Sequence, residues 1–504
     1  MRKSEVKFGA LLSYILIFAN AFYGMIVSPF LLGKLGTSEY GVYKTIAGMT
    51  AMVSVLELGI GGTMQRFIAK MNAEGKREES ENFSAMGLVQ VGILAPAMIL
   101  LGVLLYPKLE KTFDAFTAAE IIRAKELFAL MILQIALHMG ENFYFGVLAG
   151  YNRFIFSNTL KLGSLVLRIL LYYVFLPVFP NSVTVVMIGL GLEVAVILIE
   201  VLYIRLVLKH KIRLRHWDQE LFRDSFVYTI LLFVQSLVIQ FNGNIDSIVI
   251  GAVIGTAAVS LYSFAIQIFN MYETCATSIS GVLLPTVTKI MVDGADSKEL
   301  QKIVVKYGRA QWIFLGGALF GILVLGREFF DLWLGKSLGE AAGDCWGLSL
   351  ILMIPVTFPL ITNTCLTILK AKNALGFRTA CLACSVVLNF LLTFFGTRIW
   401  GYWAAAAGTA ASTLVGSVIA MNIYYRKKLH IPMLSVYRDI FRGITPCLAV
   451  TAAICLVLNR LMSGTWVIFF VKAAIFVISY GACLVLFGLN QAERKSIPFL
   501  KKKG

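Results

Sequence analysis

The sequence predicts an all-α integral membrane protein of about 14 transmembrane helices: two pseudo-symmetric six-helix bundles plus two C-terminal helices. Three observations carry this reading. Of 504 residues, 58% are hydrophobic and 14% charged, whereas a soluble domain charges roughly a quarter of its residues. The apolar residues come in blocks near the ~20 residues of helix that cross ~30 Å of hydrocarbon. The basic residues gather in alternate loops between those blocks. A bilayer admits only helices or closed barrels, and no strand–turn–strand pattern occurs.

The first helix, over 8–32, follows the basic start MRKSEVK. Its apolar run is too long for a signal peptide and no cleavage site follows, so it should stay attached. The second, 42–66, closes on Arg66, and the third, 83–106, contains Pro96. The fourth and fifth, 121–148 and 155–177, carry polar stripes, and the sixth, 183–206, precedes the basic loop KHKIRLRHWDQELFRD. Helices seven to twelve follow at 225–250, 257–288, 303–325, 346–368, 378–396 and 401–425, and the last two at 440–460 and 465–488. Pro285, Pro355 and Pro359 fall inside these spans, where neighbouring helices can satisfy the freed carbonyls, so they mark kinks. The expected division is a first bundle over 1–208, a cytoplasmic basic linker over 209–224, a second bundle over 225–430, and the last two helices with a basic tail over 431–504.

The net charge is +17. In a soluble chain that would suggest nucleic acid, but here the charges lie between apolar blocks and form no separate domain, so no nucleic-acid partner is expected. With the N-terminus inside, 33 of the 45 Lys and Arg fall in inside segments and 10 outside, and Arg168 and Lys472 lie within helices. Basic residues anchor cytoplasmic loops, and one helix too many or too few midway would scramble this bias. Both termini are expected in the cytoplasm. The eight cysteines all lie at or beyond Cys275, and the pair Cys381 and Cys384 sits in an apolar helix with no second pair nearby. Neither a metal nor a cofactor is expected.

An internal repeat supports two halves. LGTSEYGVY (35–43) after helix one aligns with IGTAAVSLY (254–262) after helix seven, matching Gly36 with Gly255, Thr37 with Thr256 and Tyr43 with Tyr262. Six helices per unit leave both copies in the same orientation, as in repeats related by an axis along the membrane normal.

The run SPFLLGKLGTSEYGVY, a helix ending in Pro and an LG-x-x-x-Y-G turn, is followed by the Gly-rich LELGIGGTMQRFIAK closing on a basic end. This N-terminus resembles the polysaccharide (O-antigen and capsule type) flippases of the multidrug/oligosaccharidyl-lipid/polysaccharide (MOP) exporter superfamily. The resemblance implies a V-shaped pair of bundles around a cavity that opens to each side in turn. It also implies a substrate: an oligosaccharide on a polyprenyl pyrophosphate carrier, moved from the cytoplasmic to the outer leaflet of the bacterial cytoplasmic membrane for cell-surface polysaccharide synthesis. Membrane lipids, and a polymerase or glycosyltransferases of the same pathway, are the implied partners. Lipid II flippases of the superfamily carry arginines in helices one and eight, and this chain has none there.

The substrate's sugars and phosphates cannot enter hydrocarbon unsatisfied, so intramembrane polar residues are candidates by default. Helix five places Lys161, Ser164, Arg168 and Tyr172 on one face, and Arg168 can bind phosphate bidentately. The competing reading is an ion pair from Arg168 to Glu193 or Glu200 on helix six. Helix four offers Gln134, His138 and Glu141 on one stripe with Asn142 beside it, against interhelical hydrogen bonding as the plainer use. Helix seven presents Asn242 and Asp246, and helix eight Gln267, Asn270 and Glu273. Substrate binding is expected at Lys161, Arg168, Tyr172, Gln134, His138, Asn142, Asn242, Gln267 and Asn270. Ion coupling is expected at Glu57, Glu141, Asp246 and Glu273. For Lys472, pairing or snorkelling is the expected role. Two rivals stand beside the flippase: a cation-coupled exporter of small amphipathic compounds on the same fold, and a membrane enzyme such as a polymerase or ligase. The enzyme would need a sizeable external loop bearing catalytic groups, which the short outside loops do not offer.

Overall fold

The structure, a computed structural model, describes residues 3–54, 58–281, 296–371, 374, 376–462, 464–490, 493 and 494. Every regular element among them is helical. The order is α1 (Lys3–Val53), α2 (Leu58–Ala73), α3 (Arg77–Thr112), α4 (Ala118–Gly150), α5 (Phe154–Phe175), α6 (Ser182–Leu206), α7 (Gln219–Val253) and α8 (Thr256–Gly281). Then come α9 (Ser297–Leu338), α10 (Ala342–Ile361), α11 (Asn363–Ala371), α12 (Gly376–Trp400), α13 (Tyr402–Leu429), α14 (Met433–Phe441), α15 (Ile444–Leu461) and α16 (Trp466–Gly488).

Nine helical stretches among the described residues combine the length and apolarity of a membrane crossing. Two exceed one crossing: Ile15–Val53 runs through a kink, and Ser297–Ile361 joins α9 to α10. Helices α4 and α8 are long enough to cross but carry polar stripes, and in α7 the side chains of 231–239 lie outside the described residues. Where a turn separates the expected first and second helices, α1 leaves helical geometry only at Gly36, at φ 79° and ψ 169°. A side chain is strained in that conformation, so glycine makes the bend. Pro96 lies inside α3, and Pro355 and Pro359 inside α10, without breaking the helix; Pro285 lies outside the described residues. Helix α7 starts at Gln219, ahead of its apolar run, because Asp218 caps it by accepting from the Leu221 N–H at 2.9 Å.

The chain divides into two units, 1–260 and 261–504. In the first, α4 is the central helix, packing on α1, α2, α3 and α6, while α5 lies against α1 and α6, and α7 against α1 and α2. Glycines allow these approaches: a Cβ on Gly146 of α4 would fall 2.6 Å from the Gly61 carbonyl oxygen of α2. A Cβ on Gly59 would fall 2.6 Å from the Thr229 carbonyl oxygen of α7. Ile60, Met64, Phe83, Phe128 and Phe143 fill the core between these helices.

The segment between α6 and α7 is a strap tied to the start of α3. Arg77 donates to the carbonyls of Leu208 (2.9 Å) and Lys209 (2.8 Å), and Asn82 accepts from the N–H of Arg215 at 2.7 Å. His210, only 1% exposed, bonds Ser84 Oγ at 2.9 Å and the Tyr151 hydroxyl at 2.7 Å. Burial holds its imidazole down to about 4.

In the second unit α9 is central, packing on α10, α14, α15 and α16, and α13 packs on α10 and α12. Arg309 of α9 is buried and fastens the far end of the chain. Its Nε and Nη2 bond the Glu493 carboxylate at 2.6 and 3.0 Å, and its remaining donors reach the carbonyls of Asp439, Arg442 and Gly488. Burial alone would raise the Glu493 carboxyl, but the hydrogen bonds from Arg309 and the Asn490 N–H outweigh it and hold it low. Helix α16 turns Val467, Phe470, Val477 and Ile478 outward and buries Lys472 at 1% exposure. Apolar-out, charge-in is the arrangement of a lipid-facing helix. Lys472 is paired, to Glu328, with Asn459 Oδ1 at 3.0 Å and the Met462 carbonyl at 2.9 Å.

Candidate functional site

Within the first unit, α4, α5 and α6 and the first part of α1 line a cavity of about 260 Å³. Helical spacing builds each wall. Helix α4 contributes Gln134, His138 and Glu141, α5 contributes Lys161, Ser164 and Arg168, α6 contributes Glu193, and α1 contributes Asn20 and Tyr23. Residues three, four and seven apart on one helix share a face, so three short polar stripes meet around one space.

The polar groups form a chain of ion pairs. Glu141 stands 3.4 Å from Lys161 Nζ and 3.4 Å from His138 Nδ1, and the same Nδ1 lies 3.0 Å from Glu193 Oε1. Lys161 also sits over the Phe145 ring at 4.2 Å. Both acids are buried, and in low dielectric such pairs hold only when geometry and hydrogen bonds compensate lost hydration. Arg168 shares the cavity with Glu193 as an electrostatic neighbour, but among the described residues it makes no ion pair, and its buried Nε has no hydrogen-bond partner. The pairing of Arg168 with Glu193 or Glu200 is therefore not made; Glu193 goes to His138. Arg168 has the tyrosines Tyr172, Tyr23 and Tyr43 as its foremost electrostatic neighbours, and Tyr172 hydrogen-bonds Tyr23. His138, Glu141 and Glu193 bring three ligand atoms within 4.8 Å of one another, a set able to hold a small cation, with the Lys161 ammonium already against Glu141.

Five of the candidate residues thus line one cavity: Lys161, Arg168, Gln134, His138 and Glu141. Tyr172 is buried beside Arg168 without lining it. Asn142 faces elsewhere, its carbonyl oxygen meeting Gly61 of α2. Asp246 is buried at 3% exposure on α7. The Asn242 side chain and the whole of Glu57 lie outside the described residues. In the second unit, Gln267, Asn270 and Glu273 follow one another along α8, with Gln267 Nε2 buried and unbonded and Asn270 exposed. The cavity also recruits Glu193, Asn20 and Tyr23, which were not among the candidates. The spacing of Asn20 and Tyr23 on an otherwise apolar helix was a usable signal. From the sequence, Glu193 is only the competing ion-pair partner of Arg168; that it pairs with His138 depends on helix packing, which no spacing encodes.

Fold and cavity together define a multi-pass membrane protein with an ionic pocket among its helices. Residues 7–291 match the family model described as polysaccharide biosynthesis protein, and the chain belongs to that family. It is 21% identical over 84% of its length to a Haloferax volcanii chain described as a flippase, AglR, covering 82% of that chain. It is 22% identical over 79% of its length to a Salmonella typhi chain described as an O-antigen transporter, covering 91% of it. The fold matches that of the lipid II flippase MurJ in an inward closed conformation, with a TM-score of 0.70, at 14% identity, over 95% of this chain and 98% of the other.

Proposed function

We propose that the chain is a flippase that moves a polyprenyl-pyrophosphate-linked oligosaccharide from the cytoplasmic to the outer leaflet by alternating access. The observation that carries this reading is Arg168: a guanidinium in a polar intramembrane cavity, with no acid paired to it among the described residues. A cation so placed offsets the charge of a phosphate that leaves water, and its planar donors match phosphate oxygens. The hydroxyls and amides of Tyr23, Asn20, Gln134 and Ser164 would replace sugar hydration. Family membership and the flippase and O-antigen transporter relatives support the same substrate class. A bacterial cytoplasmic membrane with both termini inside, and a polymerase or glycosyltransferases as pathway partners, complete the proposal. The chain acts as a transporter and transforms no bond.

Coupling to an ion gradient would run through Glu141 and His138, which share one network with Lys161 and Glu193, with Glu57, Asp246 and Glu273 as further acids. The drug-type alternative would need a cavity that attracts organic cations, and an unpaired arginine disfavours one. Thermal-shift titration separates the two readings. Lipid-pyrophosphate oligosaccharide should raise the melting temperature and organic cations should not; the reverse pattern would sink the flippase reading.

A further inference from the structure

The basic end of α6 and the strap after it line a second cavity, of about 530 Å³, sharing no residue with the first. Arg205, Lys209, Lys211 and Arg213 line it, and no acid does. None of the four makes an ion pair among the described residues. The nearby acids at the start of α3 are taken by other cations: Glu81 by Arg77 at 3.7 Å and Arg215 at 3.5 Å, and Glu78 by Arg215.

The backbone that carries the three strap cations is also held in place. The carbonyls of Leu208 and Lys209 are tied to Arg77, His210 is tied to Ser84 and Tyr151, and Lys209 adopts a left-handed φ of 50°. Arg205 lies in the last turn of α6, next to Leu202 and Leu206, which are 54% and 69% exposed. The cavity's apolar lining comes from Leu88 and Val201, with Ile204 buried behind them. A solvated anchor of positive charge needs neither a cavity, nor a fixed backbone, nor an apolar wall. A lipid phosphate with its chain attached uses all three.

We propose that this pocket is a binding site for the phosphate headgroup of a membrane lipid, with Arg205, Lys209, Lys211 and Arg213 around the phosphate and its chain along Leu88 and Val201. The proposal does not rest on the flippase reading, because either an anionic bilayer lipid or a polyprenyl phosphate offers this chemistry. Native mass spectrometry of the purified full chain tests it with phosphatidylglycerol, phosphatidylcholine and polyprenyl phosphate as probes. The triple variant Lys209→Gln, Lys211→Gln, Arg213→Gln should lose roughly tenfold or more in retention of the phosphate lipids. The charge-matched control Arg426→Gln, Lys427→Gln, Lys428→Gln should retain them. Whichever anionic lipid displaces the other on the native chain identifies the source, and both results support the site. Equal retention by the triple variant, an equal loss in the control, or phosphatidylcholine held as tightly as phosphatidylglycerol overturns it. If the triple variant does not fold, Arg205→Gln alone is measured, and unchanged retention then overturns the proposal.

Discussion

Arg168 and His210 are both positions where a single side chain sets a measurable property. On the flippase reading, Arg168→Ala should weaken lipid-linked oligosaccharide binding by about tenfold or more, while Arg168→Lys should recover only part, because an ammonium lacks the bidentate fork. Titration calorimetry on the purified chain checks this, and full affinity in Arg168→Ala would remove the cation from the site. His210 predicts a pH effect of definite sign. Its folded value, about 4, lies below the ordinary histidine value of about 6.5, so the unfolded chain binds the proton more readily. The stability this contributes is complete above pH 6.5 and is lost as pH falls toward 4, on the order of 3 kcal/mol in all. A melting curve taken at pH 7 and pH 5 should show the drop, and His210→Gln should flatten it. The Lys161–Arg168 stripe was legible in the sequence because helical spacing is a local code. That Lys161 goes to Glu141 and His138 to Glu193, leaving Arg168 over, depends on which helices pack side by side, and no spacing encodes that.

At the level of helices, the glycines of LGIGG serve packing: the structure sets Gly59 on Thr229 and Gly61 on Asn142. Gly146 meets α2 as closely, so Gly146→Val should push α4 off α2 and destabilise the first unit by about 1–3 kcal/mol. Thermal unfolding in detergent, compared with Gly163→Val, where nothing lies within 4 Å of the added carbon, reads the difference. Most helix positions were readable from apolar length and the charges between blocks. The near-continuous α1 was not, because LGKLGTSEYGVY has the composition of a loop, and only the backbone shows that a single glycine makes the bend. The strap was unreadable for a related reason: its order comes from Arg77, Ser84 and Asn82, more than a hundred residues earlier in the chain.

For the molecule as a whole, fold class and family followed from composition, charge alternation and the N-terminal motif, since each is a property of long stretches. On the proposed reading substrate movement is coupled through the cavity network, where two acids, a lysine and a histidine share contacts that a proton or small cation would redistribute. Transport of lipid-linked oligosaccharide in reconstituted vesicles should therefore fall when the ion gradient is collapsed by ionophore. Unchanged flux after collapse would dispose of the coupling role.

Arg309 has a practical corollary for anyone handling the protein. Four groups of the C-terminal region converge on one buried guanidinium, and one of them, Glu493, lies beyond the last apolar helix. Clipping the chain after Gly488, the natural place for a tag or fusion judged by hydropathy alone, would strand that cation without its counter-ion, and such an unpaired buried charge is strongly destabilising. Glu493, just past the final span, therefore belongs to the folded body, and a fusion has to leave it in place.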